Sequence, residues 1–317
     1  MVREQKDIKG NNRMNYLNIP ESENWESVTP IEKGWSKDRK FLVKTIDGEL
    51  QLLRLSAGER YEAKKKEYEI ISKYSTLGIP MSMPIAFGRC NDGQDTYMLL
   101  SWVEGKDLEE VLPGLSEEDQ YRLGRQAGEI LRKIHSIPLA LEDVPEFTKR
   151  EKKLVQLAQY ECSSVRIPDD EPAIRFVRDH INDIWTVPPV YLHGDFHPGN
   201  LIYRSDGSIG VIDFNRWEVG DPYEDFYKLE SFVVELSIPY CIGEIDAYFH
   251  DGVPEEFWLA NAEYVAHASL YSIKWAEPFG QKDVDGMVER ALTARADFDN
   301  FQNIIPKWYA AAKEMRG

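Results

Sequence analysis

Three side chains within Tyr191–Asp213, YLHGDFHPGNLIYRSDGSIGVID, have types and spacing that could do chemistry. Asp195 and Asn200 share one loop, and Asp213 ends the apolar run that follows it. Two carboxylates and an amide oxygen form a hard-cation donor set, suited to a Mg²⁺ ion that also holds phosphate oxygens. Alone, each such side chain serves as a helix cap or an Asx-turn; the joint spacing is what carries the chemical reading. The segment also says how the three would meet. An apolar run (Val190, Tyr191, Leu192) breaks into a loop, Leu201-Ile202-Tyr203 follows, Asp206-Gly207 turns the chain, and Ile209–Ile212 leads to Asp213. That is a loop followed by a hairpin, which folds its two ends toward one point.

The chain around this stretch is long enough for two lobes and an ample core, at 317 residues with 42% hydrophobic and 29% charged residues. No window approaches eighteen continuous apolar residues, so no membrane span is expected. The start, MVREQKDIKGNNR, lacks an apolar core of the kind a signal peptide carries. Cys90, Cys162 and Cys241 are far apart and without metal-ligand spacing, which reads as reduced cytoplasmic thiols. A net charge of −17 argues against nucleic acid and anionic membranes as partners and leaves cationic small molecules open.

The elements that must position the site divide at about Ser101. Residues 1–14 are polar and aperiodic and are expected to form a disordered lead. From Trp25 the pattern becomes strand-like: a Lys33–Asp38 turn, Lys40–Val43, an Asp47-Gly48 hairpin turn, then Leu50–Leu55. Glu59–Leu77 has the apolar spacing of a helix ended by Gly78 and Pro80. Met83–Gly88 and Thr96–Val103 are further strands joined at Asn91-Asp92-Gly93. Beyond Gly105 the composition turns helical. Ser116 is an N-cap ahead of acidic residues, and Leu123, Ala127, Ile130, Leu131 and Ile134 form one apolar stripe. Helices are expected around Phe147–Tyr160 and Ala173–Trp185, with Ser163–Glu171 as a linker or lid, and Tyr227–Trp308 reads as helices rich in aromatics.

His193-Gly194-Asp195, four residues, Asn200, and then Ile212-Asp213-Phe214 resemble the catalytic loop and metal-binding aspartate of the aminoglycoside phosphotransferase family, the protein-kinase-like small-molecule kinases. The resemblance spans roughly Pro30 to Phe257. It implies an α+β, two-lobed protein-kinase-like fold, with a small antiparallel-sheet N-lobe over 15–101 and a mainly helical C-lobe over 102–317. It implies that Asp195 accepts or orients the proton of the acceptor hydroxyl, and that Asn200 and Asp213 bind Mg²⁺. His193 and Asp221, the latter in Gly220-Asp221-Pro222, would support the loop. For the nucleotide, ATP or GTP, it points to the Ser36 hydroxyl in a phosphate-covering loop, to backbone groups of Ser101, Trp102 and Val103, and to a third-strand cation paired with a helix glutamate. That cation is lysine in the family and Arg54 here, a departure in geometry as well as identity, because guanidinium is longer and planar. Glu67, ahead of Ile70-Ile71, is the expected partner; Glu69 is the other candidate.

From Glu218 to Glu263 twelve acidic residues stand against one lysine, Lys228, interleaved with aromatic residues. Such runs are commonly solvated helix faces, but carboxylates beside aromatic rings also suit an ammonium-rich ligand, with Glu230, Glu235 and Glu263 as rim candidates. The expected protein is therefore a monomeric, cytoplasmic small-molecule kinase, acting first on an aminoglycoside as a resistance enzyme. Alternatives are a kinase for choline, an amino sugar or a macrolide, or, prompted by Arg54, a catalytically dead nucleotide-binding protein.

Overall fold

A computed structural model of the chain describes residues 18–32 and 38–316. The expected lead over 1–14 and Ser36 lie outside the described residues. The chain forms two compact units: residues up to Ser75 with Ser82–Trp102, and Thr76–Met81 with everything from Val103 on.

The first unit is an antiparallel sheet with one helix. Its strands are β1 (Trp25–Ile31), β2 (Arg39–Thr45), β3 (Leu50–Ala57), β4 (Pro84–Cys90) and β5 (Asp95–Ser101), in the order β1-β2-β3-β5-β4. The β2–β3 hairpin turns at Asp47-Gly48, where Gly48 takes φ 87°. Ile19, Val43, Leu53, Leu55, Tyr97 and Leu99 make its apolar core.

Helix α1 (Tyr61–Tyr74) is tied to β3 by a buried ionic cluster. Arg54, 3% exposed, donates from one Nη to Glu67 at 2.6 Å and from the other to Asp38 at 2.7 Å. Lys64 bridges the same two carboxylates at 2.6 and 2.8 Å, and Ser56 donates to Asp38 at 2.7 Å. Burial alone would raise the Asp38 carboxyl, but Arg54, Lys64 and Ser56 outweigh it and hold the group at about 2.

The second unit is mainly helical. Its elements are β6 (Lys106–Asp107), α2 (Leu108–Val111), α3 (Glu117–His135), α4 (Arg150–Glu161), α5 (Glu171–His180), β7 (Val190–Leu192), β8 (Leu201–Tyr203), β9 (Ile209–Val211), β10 (Glu218–Gly220), α6 (Ile238–Tyr248), α7 (Glu255–Ala276), α8 (Gln281–Asp297) and α9 (Lys307–Arg316). Ser116 caps α3 by accepting from the Asp119 amide at 3.2 Å. Small residues let α3 and α6 approach closely: a Cβ on Gly128 would lie 2.2 Å from the Glu244 carbonyl oxygen. Helix α7 is buried along most of its length, and its Ala262, Val265, Ala266, Leu270 and Ile273 pack with α5 and α8 in one core cluster. Among the described residues no helix is long and apolar enough to cross a membrane.

Glu263 lies inside this core at 0% exposure, and neither carboxylate oxygen has a hydrogen-bond partner among the described residues. Burial pushes its pKa up to about 8, opposed by Lys153. Burial thus favours the protonated, uncharged form of this acid in the folded protein.

Two outcomes follow. Asp38 has a folded pKa of about 2 against an ordinary 3.8. Its ionised form contributes stability that is present above 3.8 and lost as pH falls through 2. Asp38→Asn should therefore cost the first unit on the order of 2 kcal/mol at neutral pH, shrinking toward pH 2, read as faster amide exchange in β3 and α1. Glu263 behaves oppositely: the stability of its neutral form is complete below 4.5 and lost as pH rises through about 8. The melting temperature of Glu263→Gln should gain on the parent protein as pH rises across that window, and a gap independent of pH would contradict this reading.

Candidate functional site

Strand β7 pairs antiparallel with β10, Tyr191 opposite Val219, so the loop leaving β7 is anchored to the segment that follows Asp213. Gly194 opens the loop at φ 77°, and a Cβ there would lie 2.0 Å from the Arg216 carbonyl oxygen, so only glycine fits. Strands β8 and β9 form the hairpin, with Leu201 opposite Val211. The Ile212 amide donates to the Asn200 carbonyl at 3.1 Å, which brings the residues preceding and following the hairpin to the same end. Asp213 then takes the left-handed conformation, φ 60° and ψ 63°. Aspartate tolerates that region better than most residues, and a non-glycine residue held there is a strained backbone of the kind found at functional sites.

His193 is fully buried. Its Nε2 lies 3.2 Å from the Ile212 carbonyl oxygen, and its Nδ1 accepts from the Asp195 amide at 3.3 Å. The neutral tautomer with hydrogen on Nε2 satisfies both contacts, and burial lowers the ring's pKa. His193 thus braces the loop to the end of the hairpin while packing against Phe196 and Phe214.

Asp225 does more of this bracing than sequence reasoning indicated. One of its oxygens accepts from the Gly194 amide at 2.9 Å, the other from the His193 amide at 3.1 Å, and His135 Nε2 of α3 lies 3.1 Å from the second. Asp221, expected to hydrogen-bond backbone and so orient the loop, accepts from the Trp185 amide at 2.6 Å and the Tyr223 amide at 3.0 Å, and also from the Tyr264 hydroxyl at 2.8 Å. It fixes the turn that carries Asp225, so its influence on the loop passes through that residue. The spacing of the two aspartates in Asp221-Pro-Tyr-Glu-Asp225 was the available signal.

Asp195 sits part-buried at the centre of the loop. Lys228 Nζ lies 2.7 Å from Oδ1, and Arg216 Nε lies 3.6 Å from Oδ2. Asn200 Nδ2 donates to the Asp195 carbonyl at 2.8 Å and to Oδ2 at 3.1 Å. Burial alone would raise the Asp195 carboxyl, but Lys228 first, with Arg216 behind it, outweighs burial and holds the group well below the usual carboxylate range. Burial also pushes His197 down to about 4, so this ring is neutral at pH 7. Asp195 is consequently an ionised hydrogen-bond acceptor throughout the physiological range, and a weak base.

Asn200 spends its amide nitrogen on Asp195, which turns its amide oxygen into the acceptor end left for other chemistry. Asp213 follows the same end of the hairpin, and an amide oxygen with a carboxylate are donors of the type a divalent cation takes, completed by ligand oxygens. Among the described residues no group of three or more His, Cys, Asp or Glu could hold a metal by itself.

The remaining sequence candidates fall elsewhere. Arg54 and Glu67 pair within the first unit, and Glu69 is exposed and nearest Lys65. The Arg54 guanidinium is already committed to two carboxylates, so gripping phosphate would require Asp38 to give way. The Ser101 amide donates to the Met83 carbonyl and the Trp102 amide to the Leu50 carbonyl, so those two N–H groups serve the sheet and its margin; Val103 follows, where the chain re-enters the second unit. The proposed acidic rim is not formed as expected. Glu263 is in the core, Glu230 is 3% exposed and accepts from Trp308 Nε1 at 2.9 Å, and Glu235 pairs with Arg290 at 2.7 Å. An acidic run whose members alternate between core and surface reads the same in sequence as one that faces a ligand.

Solved structures with the same fold include the GDP complex of wild-type aminoglycoside 2'-phosphotransferase-IIIa, at 17% identity and TM-score 0.67, covering 90% of this chain and 99% of that one. The gentamicin–APH(2")-IIa complex aligns at 18% identity and TM-score 0.64, covering 92% and 97%. Amicoumacin kinase hAmiN, in complex with AMP-PNP, Ca²⁺ and amicoumacin, aligns at 14% identity and TM-score 0.62, covering 89% and 90%. At these identities the likeness establishes a kinase-like α+β fold. No curated protein sequence matches the chain significantly. The sequence pattern of the phosphotransferase enzyme family (APH) matches residues 27–258, well over half of the chain, and the protein belongs to that family.

Proposed function

We propose that the protein transfers the γ-phosphoryl group of ATP or GTP to a hydroxyl of a small molecule, with Asp195 orienting the hydroxyl. The observation that carries this reading is the Asp195 carboxylate, held ionised by Lys228 and Arg216 and bonded to Asn200 at the end of the hairpin that bears Asp213. In the transfer, the bond from the γ-phosphorus to the bridging oxygen breaks, a bond to the acceptor oxygen forms, the nucleoside diphosphate leaves, and the hydroxyl proton passes to Asp195 or solvent. Because Asp195 is a weak base, its contribution is to fix the hydroxyl in line early and to receive the proton late. Asn200 and Asp213 are the residues that would hold Mg²⁺. When bound, the ion neutralises charge on the phosphate oxygens.

An aminoglycoside is the first acceptor to test, on family membership and on neighbours whose bound ligands are gentamicin and kanamycin. The amicoumacin kinase widens the panel beyond that class. The three cysteines are free thiols, as a reducing cytoplasm requires, and we take the working form to be a cytoplasmic monomer. The ion pair of Arg54 with Glu67 retains the charge pattern of the family's cation and glutamate, which favours a working kinase over a dead nucleotide-binding protein.

The test is coupled nucleotide turnover with Mg²⁺, using ATP and GTP in turn, against aminoglycosides, macrolides and choline. Asp195→Asn should lower kcat by roughly 100- to 10,000-fold with the melting temperature little changed. Turnover undiminished in that variant would remove Asp195 from the reaction.

A further inference from the structure

Lys228 is the single lysine or arginine among the acidic residues from Glu218 to Glu263, and its side chain is 6% exposed. Its ammonium lies 2.7 Å from Asp195 Oδ1 and makes no other ion pair among the described residues. The nearby acids of its own segment are committed elsewhere, Glu230 to Trp308 and Glu235 to Arg290. The faces of Tyr227 and Phe232 flank the ammonium at 5.0 and 5.3 Å from their centroids. Phe232 is itself fixed between the His197 ring at 5.5 Å and the Arg290 guanidinium at 5.1 Å. Directly after Lys228 the helix widens into a π-turn, Leu229–Val233, which offsets the side chains that follow. Such turns recur where a side chain must be aimed at a site.

We propose that Lys228 is a positioning residue for phosphoryl transfer: it fixes Asp195 through Oδ1, setting the rotamer in which that carboxylate meets the acceptor hydroxyl. The inference rests on the phosphotransferase reading. Its physical basis is that replacing a buried ion pair by an apolar pair of similar volume is often neutral or stabilising, so the fold alone does not call for a lysine here. Arg216 cannot substitute, because its side chain is 45% exposed and stands 3.6 Å from the other oxygen. Without Lys228, Oδ1 loses its close partner and the carboxylate is free to turn toward Arg216 and Asn200. Lysine suits this place better than arginine would, being a compact charge that reaches one oxygen of Asp195 from between two rings.

The test is a double-mutant cycle on nucleotide turnover, with the best acceptor found and with water as acceptor. Lys228→Met should lower kcat roughly 100-fold while the KM for nucleotide changes by less than about three-fold. Lys228→Arg should recover part of that loss. In the Asp195→Asn background, Lys228→Met should have no further effect on kcat, because the lysine acts through the aspartate. A residue serving only the fold would lower both backgrounds equally and shift the melting temperature in parallel, and that result, or full activity in Lys228→Met, would overturn the proposal. A parent protein that turns over no nucleotide, with any acceptor or with water, would instead remove the phosphotransferase reading and this inference with it.

Discussion

The loop that carries Asp195 depends on one buried carboxylate. Asp225 takes the two amides at the head of the loop, His193 and Gly194, and meets His135 of α3, so the loop is bolted to the longest helix of the first half of its unit. Backbone amides that leave a strand need partners when buried, and no sheet neighbour can supply them at a turn with φ 77°. A carboxylate has the lone pairs to take both amides at once. The glycine, the neutral His193 and the Asp221 turn all follow from that requirement. Gly194 admits the close approach of Arg216, His193 links the loop to Ile212, and Asp221 aims Asp225.

The parts of this site that were legible in sequence are those defined by local spacing. Asp195, Asn200 and Asp213 sit on one short loop and hairpin, so their separation along the chain nearly determines their separation in space. Ser116 as a cap and Asp47-Gly48 as a turn were legible for the same reason. Lys228, Asp225 and Asp38 were not. Each acts across a separation that only tertiary packing closes, and each sits among residues of similar charge that do something else. In Tyr-Glu-Asp-Phe-Tyr-Lys-Leu-Glu, nothing local says that Asp225 bonds two amides, Lys228 reaches Asp195 and Glu230 receives an indole N–H.

The expectation of an acidic rim failed on a point of energetics. A net charge of −17 suggests that carboxylates have water or a cationic ligand to face. Several instead lie in the core, and Glu230, Glu244 and Glu263 have their pKa values pushed up to about 8 by burial. Neutralisation by a proton costs far less than burying charge, so a carboxyl group can occupy a core position without a counter-ion. Formal charge counted from sequence therefore overstates both the field of the folded protein and its appetite for cations.

The departure at Arg54 has a related logic. A lysine paired with one glutamate leaves its ammonium able to turn toward a phosphate. A guanidinium has two faces of donors, and here each is taken, by Glu67 and by Asp38. Lys64 then bridges both carboxylates, and the half-exposed Arg60 adds a third cation 3.2 Å from Asp38. Removing any one member would leave its partners buried with an uncompensated charge, which is costly. Strand β3 is therefore held to α1 through Arg54, Glu67, Asp38 and Lys64 together.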